Sequence, residues 1–218
     1  MKKVSMVGIV LALLSSDRTA TAKEPIDQLL ANRLGTISTF AEPVFANGLL
    51  TGCSVNFNTL VRDFTYEAGT FAKVEGSFNL MTAKDSLGVL LKIVVRDFDP
   101  KTYDLVPSKP VAALFVSGNA TSLPFLIRSL ETDTPGTIVA VYDAEKTYPM
   151  LVQGLSAGTV TVAFARAVGG MDMQVPVDVT VEDTDDNGNK KRSNKAATSF
   201  LECSQDLIEI EMDRLKAE

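Results

Sequence analysis

Alternation of apolar and polar side chains over residues 70–80 constrains this chain more than any other feature. Val74, Gly76, Phe78 and Leu80 fall on one side of a period-two pattern; Lys73, Glu75, Ser77 and Asn79 fall on the other. A half-buried strand separates residues in this way, whereas a helix mixes the two sets on every face. Residues 87–98 repeat the pattern, with Val89, Leu91, Ile93 and Val95 inward and Lys92 and Arg96 outward. Leu90 and Val94 make part of the outer face apolar, and Asp99-Pro100 ends the run.

Strand-like texture continues at 49–57, 111–117, 123–130, 138–142, 150–154, 159–167, 173–182 and 196–203. Turn-forming Asn47-Gly48, Gly118-Asn119 and Thr134-Pro135-Gly136 punctuate it. About ten short strands between such turns predict a mainly β fold, an antiparallel β-sandwich or barrel. Both architectures show the same alternation. Two stretches change period. Ile26, Leu29, Leu30 and Leu34 predict a short helix stopped by Gly35. Ile208, Met212 and Leu215 predict a C-terminal helix with Ser204 as its N-cap. That helix is read as a cover over a sheet edge; its functional alternative is a partner-binding helix. With 218 residues and no compositional break, residues 49–218 read as one β-rich domain, preceded by an N-terminal arm or linker over 23–48.

Residues 1–22 have the three-part layout of a secretory signal peptide. Lys2-Lys3 precede an uncharged apolar run over 4–14, and Ala20-Thr21-Ala22 supplies the small-x-small pattern before a cut at Lys23. The run is far short of the ~20 apolar residues that span a bilayer, and no later segment qualifies. The chain is therefore expected in the periplasm or secreted, with no integral membrane segment once the signal is removed. Cys53 and Cys203 are its two cysteines. In an oxidising compartment two cysteines allow one pairing, so a structural disulfide is expected; the Cys-x-x-Cys spacing of a redox pair is absent. The bridge is expected to tie the first core strand to the last.

Charge and composition exclude several functions. Removing residues 1–22, which carry Lys2, Lys3, Arg18 and Asp17, leaves 18 basic and 26 acidic residues and a charge of −8. That balance opposes general nucleic-acid or anionic-membrane binding. The sequence has no His. Ser-His-Asp and Cys-His catalysis and His-based zinc sites are excluded with it.

One motif carries metal chemistry. Asp183, Asp185 and Asn187, followed by Gly188, fit the opening of a calcium loop, with oxygen ligands at positions one, three and five and a sharp turn at six. Position twelve is Asn194, where a bidentate Glu belongs, and Lys190, Lys191 and Arg192 stand beside the site. The competing reading is a hairpin, with strands over 175–182 and 196–203 and Asn187-Gly188 as its turn. No other cofactor is indicated. Glu131, Asp133, Asp143 and Glu145 offer a carboxylate pair for glycoside chemistry, against the plainer reading of solvated acidic loops. Gly169-Gly170 with Met171 and Met173 offers a flexible binding lip, against the plainer reading of a hairpin turn with Met filling core gaps.

Four segments carry a family resemblance. They are Leu49-Leu50-Thr51-Gly52-Cys53, Gly158-Thr159-Val160-Thr161-Val162-Ala163-Phe164, Gln174-Val175-Pro176-Val177 and Ser199-Phe200-Leu201-Glu202-Cys203. In these the chain resembles the invasion-associated locus B family of exported bacterial proteins. The family's Trp near the first Cys and its middle cysteines have no counterpart here. The resemblance implies a small β fold with a periplasmic or surface role in host interaction or envelope function, and supplies no catalytic residues. The sequence thus predicts an exported, non-enzymatic β domain that binds a protein or envelope component, the alternative being a calcium- or carbohydrate-binding module.

Overall fold

In a computed structural model, residues 24–83 and 86–217 are described; the expected signal segment lies outside them. The chain opens with helix α1 (Glu24–Asn32) and a four-strand meander, β1 (Gly35–Ala46), β2 (Leu49–Asp63), β3 (Thr70–Ala83) and β4 (Ser86–Phe98). Asn47 and Gly48 turn β1 into β2 with φ of 53° and 80°. Two positive φ values in a two-residue turn match the twist of a hairpin, which is why Asn-Gly sits there. Short β5 (Leu105–Pro107), β6 (Ala112–Ser117) and β7 (Ala120–Thr121) follow, then β8 (Leu126–Glu131) and β9 (Thr137–Asp143). The remaining elements are α2 (Ala144–Ser156), β10 (Thr159–Ala165), β11 (Met173–Asp178), β12 (Val181–Thr184), β13 (Lys190–Arg192) and α3 (Lys195–Ala217).

The strands form a seven-stranded sheet in the order β1-β2-β3-β4-β9-β8, with β5 on the end of β4, and a four-stranded sheet in the order β11-β10-β6-β7. The register puts the apolar half of each alternating pattern in rows across the large sheet. One row joins Cys53, Leu80, Val89 and Tyr142; the next joins Val55, Phe78, Leu91 and Ala140. All eight are buried. Opposite them stand Phe115 of β6 and Val160, Val162 and Phe164 of β10, also buried. Phe78 and Tyr142 meet Phe115 edge-on, at 6.4 and 5.9 Å between ring centres. Leu151 and Leu155 of α2 and Phe200 and Leu207 of α3 join this core. The chain is mainly β, its sheets are antiparallel, and it ends in a helix, as its pattern predicts.

Gly76 lies in the third inner row, between Phe57 and Ile93. A Cβ there would stand 2.1 Å from the Lys92 carbonyl oxygen and 2.8 Å from Phe57 Cζ. The glycine lets the Phe57 ring fold over the strand and stack near Phe78, with ring centres 6.1 Å apart.

Several expected elements differ from the structure. Residues 35–46, read as an arm or linker, are the edge strand β1. Its alternation is broken by an irregularity between Thr36 and Ser38, and its buried side chains are Thr36 and Thr39. Thr39 donates its hydroxyl to Val179 O and Val181 O, and Thr184 donates to Ile37 O, so β12 covers half of this edge. Residues 150–154, read as a strand, lie in α2. Asp143 caps that helix by accepting from Lys146 N at 3.2 Å, and Thr147, Leu151 and Leu155 bury one helical face. Residues 196–203, read as the last strand, begin α3, and Ser204 lies within it rather than at its cap. Residues 173–182 form two strands with a turn at Val179-Thr180.

The expected disulfide is present: Cys53 and Cys203 are bonded, with Cα atoms 5.9 Å apart. It joins β2 to α3, not strand to strand. No helix among the described residues is long and apolar enough to cross a membrane.

Candidate binding groove and the clusters around it

Where β3 ends and β4 begins, the inner face of the large sheet runs out past the four-stranded sheet and is left between two helices. Leu80 and Leu87 form the floor of a groove of 510 Å³. Ala144 and Tyr148 in the first turns of α2 form one wall; Ile208, Met212 and Leu215 of α3 form the other. Ile127, at an irregularity in the pairing of β8 with β9, closes the far side. Ile127, Met212 and Leu215 are 63%, 53% and 54% exposed. A volume of this order, apolar inside and polar at the rim, is typical of a site that takes a ligand or a partner's side chains. The disulfide lies beside the floor on the same face of the sheet, because Cys53 is the register partner of Leu80.

The charged side chains lining the groove are Asp143, Glu145 and Glu211, all carboxylates. Asp143 is committed to the α2 cap. Glu145 pairs with Lys146 at 2.6 Å, and this hydrogen bond and charge hold the lysine above its ordinary pKa. Glu211 pairs with Arg214 at 2.8 Å.

The outer face of the same sheet is different. Phe40, Asn56, Ser77 and Lys92 form one cross-strand row, and Ser38 or its neighbours with Asn58, Glu75 and Val94 form the next. These residues line a shallow, polar depression. Asn56 donates to Glu42 at 2.9 Å and Asn79 to Ser77 at 3.1 Å. Burial pushes the Glu75 carboxyl up, but Lys73 at 2.8 Å and the adjoining Arg96 outweigh it and hold the group below its ordinary value.

The calcium-loop residues sit on the turn of the β12–β13 hairpin. Asp185 Oδ1 accepts from Asn187 N and Asn189 N, at 2.9 and 2.8 Å, and its Oδ2 accepts from Asn189 Nδ2 at 2.9 Å. Asp183 accepts from Thr184 N, while Asp186 pairs with Arg33. Gly188, at φ 85°, packs against the Asn32 carbonyl. Among the described residues no group of three His, Cys, Asp or Glu side chains is arranged to hold a metal. The turn is the hairpin turn of the competing reading, but its strands are 181–184 and 190–192.

Of the other acidic candidates, Asp143 and Glu145 fall on the groove rim, whereas Asp133 is exposed between β8 and β9. Gly169-Gly170 occupies the β10–β11 connection, with Met173 buried and Met171 exposed. Sequence reasoning missed two features. One is the groove itself, although the helical spacing of Ile208, Met212 and Leu215 marks one of its walls. The other is a charge cluster at the opposite end of the sheet. There Arg166, just past β10, pairs with Asp97 of β4 at 2.5 Å and with fully buried Asp63 of β2 at 2.7 Å.

Comparison with known proteins gives no matching family model, no matching curated protein and no matching solved structure.

Proposed function

We propose that this chain is an exported, non-enzymatic binding module that holds a partner protein or envelope component in the groove between α2 and α3. One observation carries the reading. Three large apolar side chains from two elements, Ile127 of β8 and Met212 and Leu215 of α3, stay exposed while converging on one concavity. A contiguous exposed apolar patch rimmed by polar groups marks an interaction surface. The rim carboxylates serve a helix cap and two ion pairs, which favours binding over proton transfer. The disulfide and the N-terminal layout together support a periplasmic or secreted location. The partner is a protein or envelope component and not a nucleic acid, in keeping with the acidic balance of the chain.

The test places a photo-crosslinking residue at Met212 in the expressing cell, with the same residue at Val168, exposed at the β10–β11 turn, as control. A defined adduct at position 212, absent at 168 and lost on adding Leu215→Asp, is the expected result. Equal labelling at both positions would remove the groove as the site. Intact mass after alkylation without reduction checks the location: cleavage before Lys23 with no alkyl group added is expected, and an uncleaved chain with two alkylated thiols would defeat it.

A further inference from the structure

From the shape and charge of the groove we infer its occupant: a basic amphipathic helical segment of a partner. The inference rests on the binding reading above and names the chemistry that would satisfy it.

Shape comes first. Ile208, Met212 and Leu215 recur at steps of four and three along α3, so they form one ridge over about 10 Å of helix. Ridges at this spacing accept another helix, whose apolar residues at i, i+3 or i+4 and i+7 fill the intervening hollows. The facing wall is also helical, formed by Ala144 and Tyr148. A helix laid along the groove therefore meets side chains on both sides.

Charge then selects among helices. The groove's own lining carries Asp143, Glu145 and Glu211 and no lysine or arginine. Lys146 and Arg214 balance part of this charge from outside the lining. The last turn of α3 carries Arg214 and Lys216, which offset the negative end of its dipole, so the groove's selectivity rests on the three lining carboxylates. An occupant with Lys or Arg flanking its apolar stripe gains on both rims. An acidic one is repelled, and a second copy of this chain would set the lining carboxylates Asp143, Glu145 and Glu211 against their like.

The test uses the full chain and three fluorescein-labelled synthetic peptides of about 14 residues, long enough to form helix on binding. Each carries leucines at i, i+4 and i+7; the flanking positions are lysine, glutamate or glutamine. Fluorescence anisotropy reads affinity. The lysine peptide is expected to bind at least ~10-fold more tightly than the glutamate peptide, with the preference falling as salt rises. Asp143→Asn, Glu145→Gln and Glu211→Gln together, with the α2 cap kept by asparagine, are expected to erase the preference. Leu215→Asp is expected to abolish binding. Equal affinity for all three peptides, lost in Leu215→Asp, would overturn the basic occupant and leave an apolar binding groove. No binding by any peptide, with the Met212 adduct still formed, would overturn the amphipathic helix and leave the binding module. Sedimentation showing a dimer that Leu215→Asp dissociates would make a second copy the occupant and overturn the inference.

Discussion

Arg166 grips Asp97 through two parallel hydrogen bonds, Nη1 to Oδ2 at 2.5 Å and Nη2 to Oδ1 at 2.6 Å. Asp97 belongs to the large sheet and Arg166 directly follows β10 of the smaller one, so this fork is a clasp between the two sheets. Nη1 also donates to Ser108 at 2.7 Å, and the guanidinium lies near the Tyr66 and Phe164 rings. Asp63, fully buried, faces Nη2 at 2.7 Å while its other oxygen takes Thr65 N and Tyr66 N. Removing the arginine strands that carboxylate in the interior. Arg166→Ala is expected to cost about 3–5 kcal/mol in urea unfolding. Arg166→Lys should recover little, since an ammonium cannot make the fork. A loss under about 1 kcal/mol for either would show that the clasp is decorative.

Gly76→Ala tests the close packing of the inner face. The added methyl meets the Lys92 carbonyl, which belongs to the neighbouring strand and cannot swing away. Overpacking of this kind costs about 1–3 kcal/mol or more. Thermal unfolding should shift down by several degrees with the disulfide intact. An unchanged midpoint would mean that the β3–β4 pairing is looser than the register implies.

Alkaline stability depends on Tyr142. Its buried hydroxyl donates to Ala113 O, and burial raises its pKa from 10 to about 12, with Asp172 adding to the rise against a Ser122 hydrogen bond. The folded state therefore holds this proton more tightly than the unfolded state. Stability from it is complete below pH 10 and is lost as pH climbs from about 10 to about 12, by up to ~3 kcal/mol. Tyr142→Phe should flatten that limb. Chemical denaturation in steps across this range, with and without the substitution, measures the difference.

The hairpin turn makes a separate prediction about calcium. Asp185 already accepts three N–H groups from its own turn. An ion would have to displace them beside Lys190 and Lys191. Millimolar calcium is expected to leave the melting temperature unchanged, while Asp185→Ala lowers it slightly by loosening the turn. A calcium-dependent rise that Asp185→Ala removes would restore the loop as an ion site.

Legibility in the sequence tracks how each residue meets the core. Val74 to Leu80 and Val89 to Val95 were readable because one face of each strand is buried along its whole length. β1 was not, because Thr36 and Thr39 are its buried side chains and an irregular step interrupts its period. Residues 196–203 were misassigned because Ala196, Ala197 and Phe200 suit either period over so short a run. Leu207, about two turns beyond Phe200, extends the helical spacing that settles it. The disulfide followed from arithmetic on two cysteines. The Arg166 clasp and the groove did not follow from any local pattern. Asp63, Asp97 and Arg166 are brought together by sheet order, and the groove's lining comes from six separate elements.

The bond between Cys53 and Cys203 turns most of this molecule into a closed ring with two short tails. Pulled from its ends, the described chain would extend by only about 150 Å, the reach of the tails at ~3.4 Å per residue. Once the tails have peeled away, the strands from β3 to β13 would bear no load however hard the ends were drawn. A domain tethered at both ends would thus be stretched while the floor of its groove stayed in place.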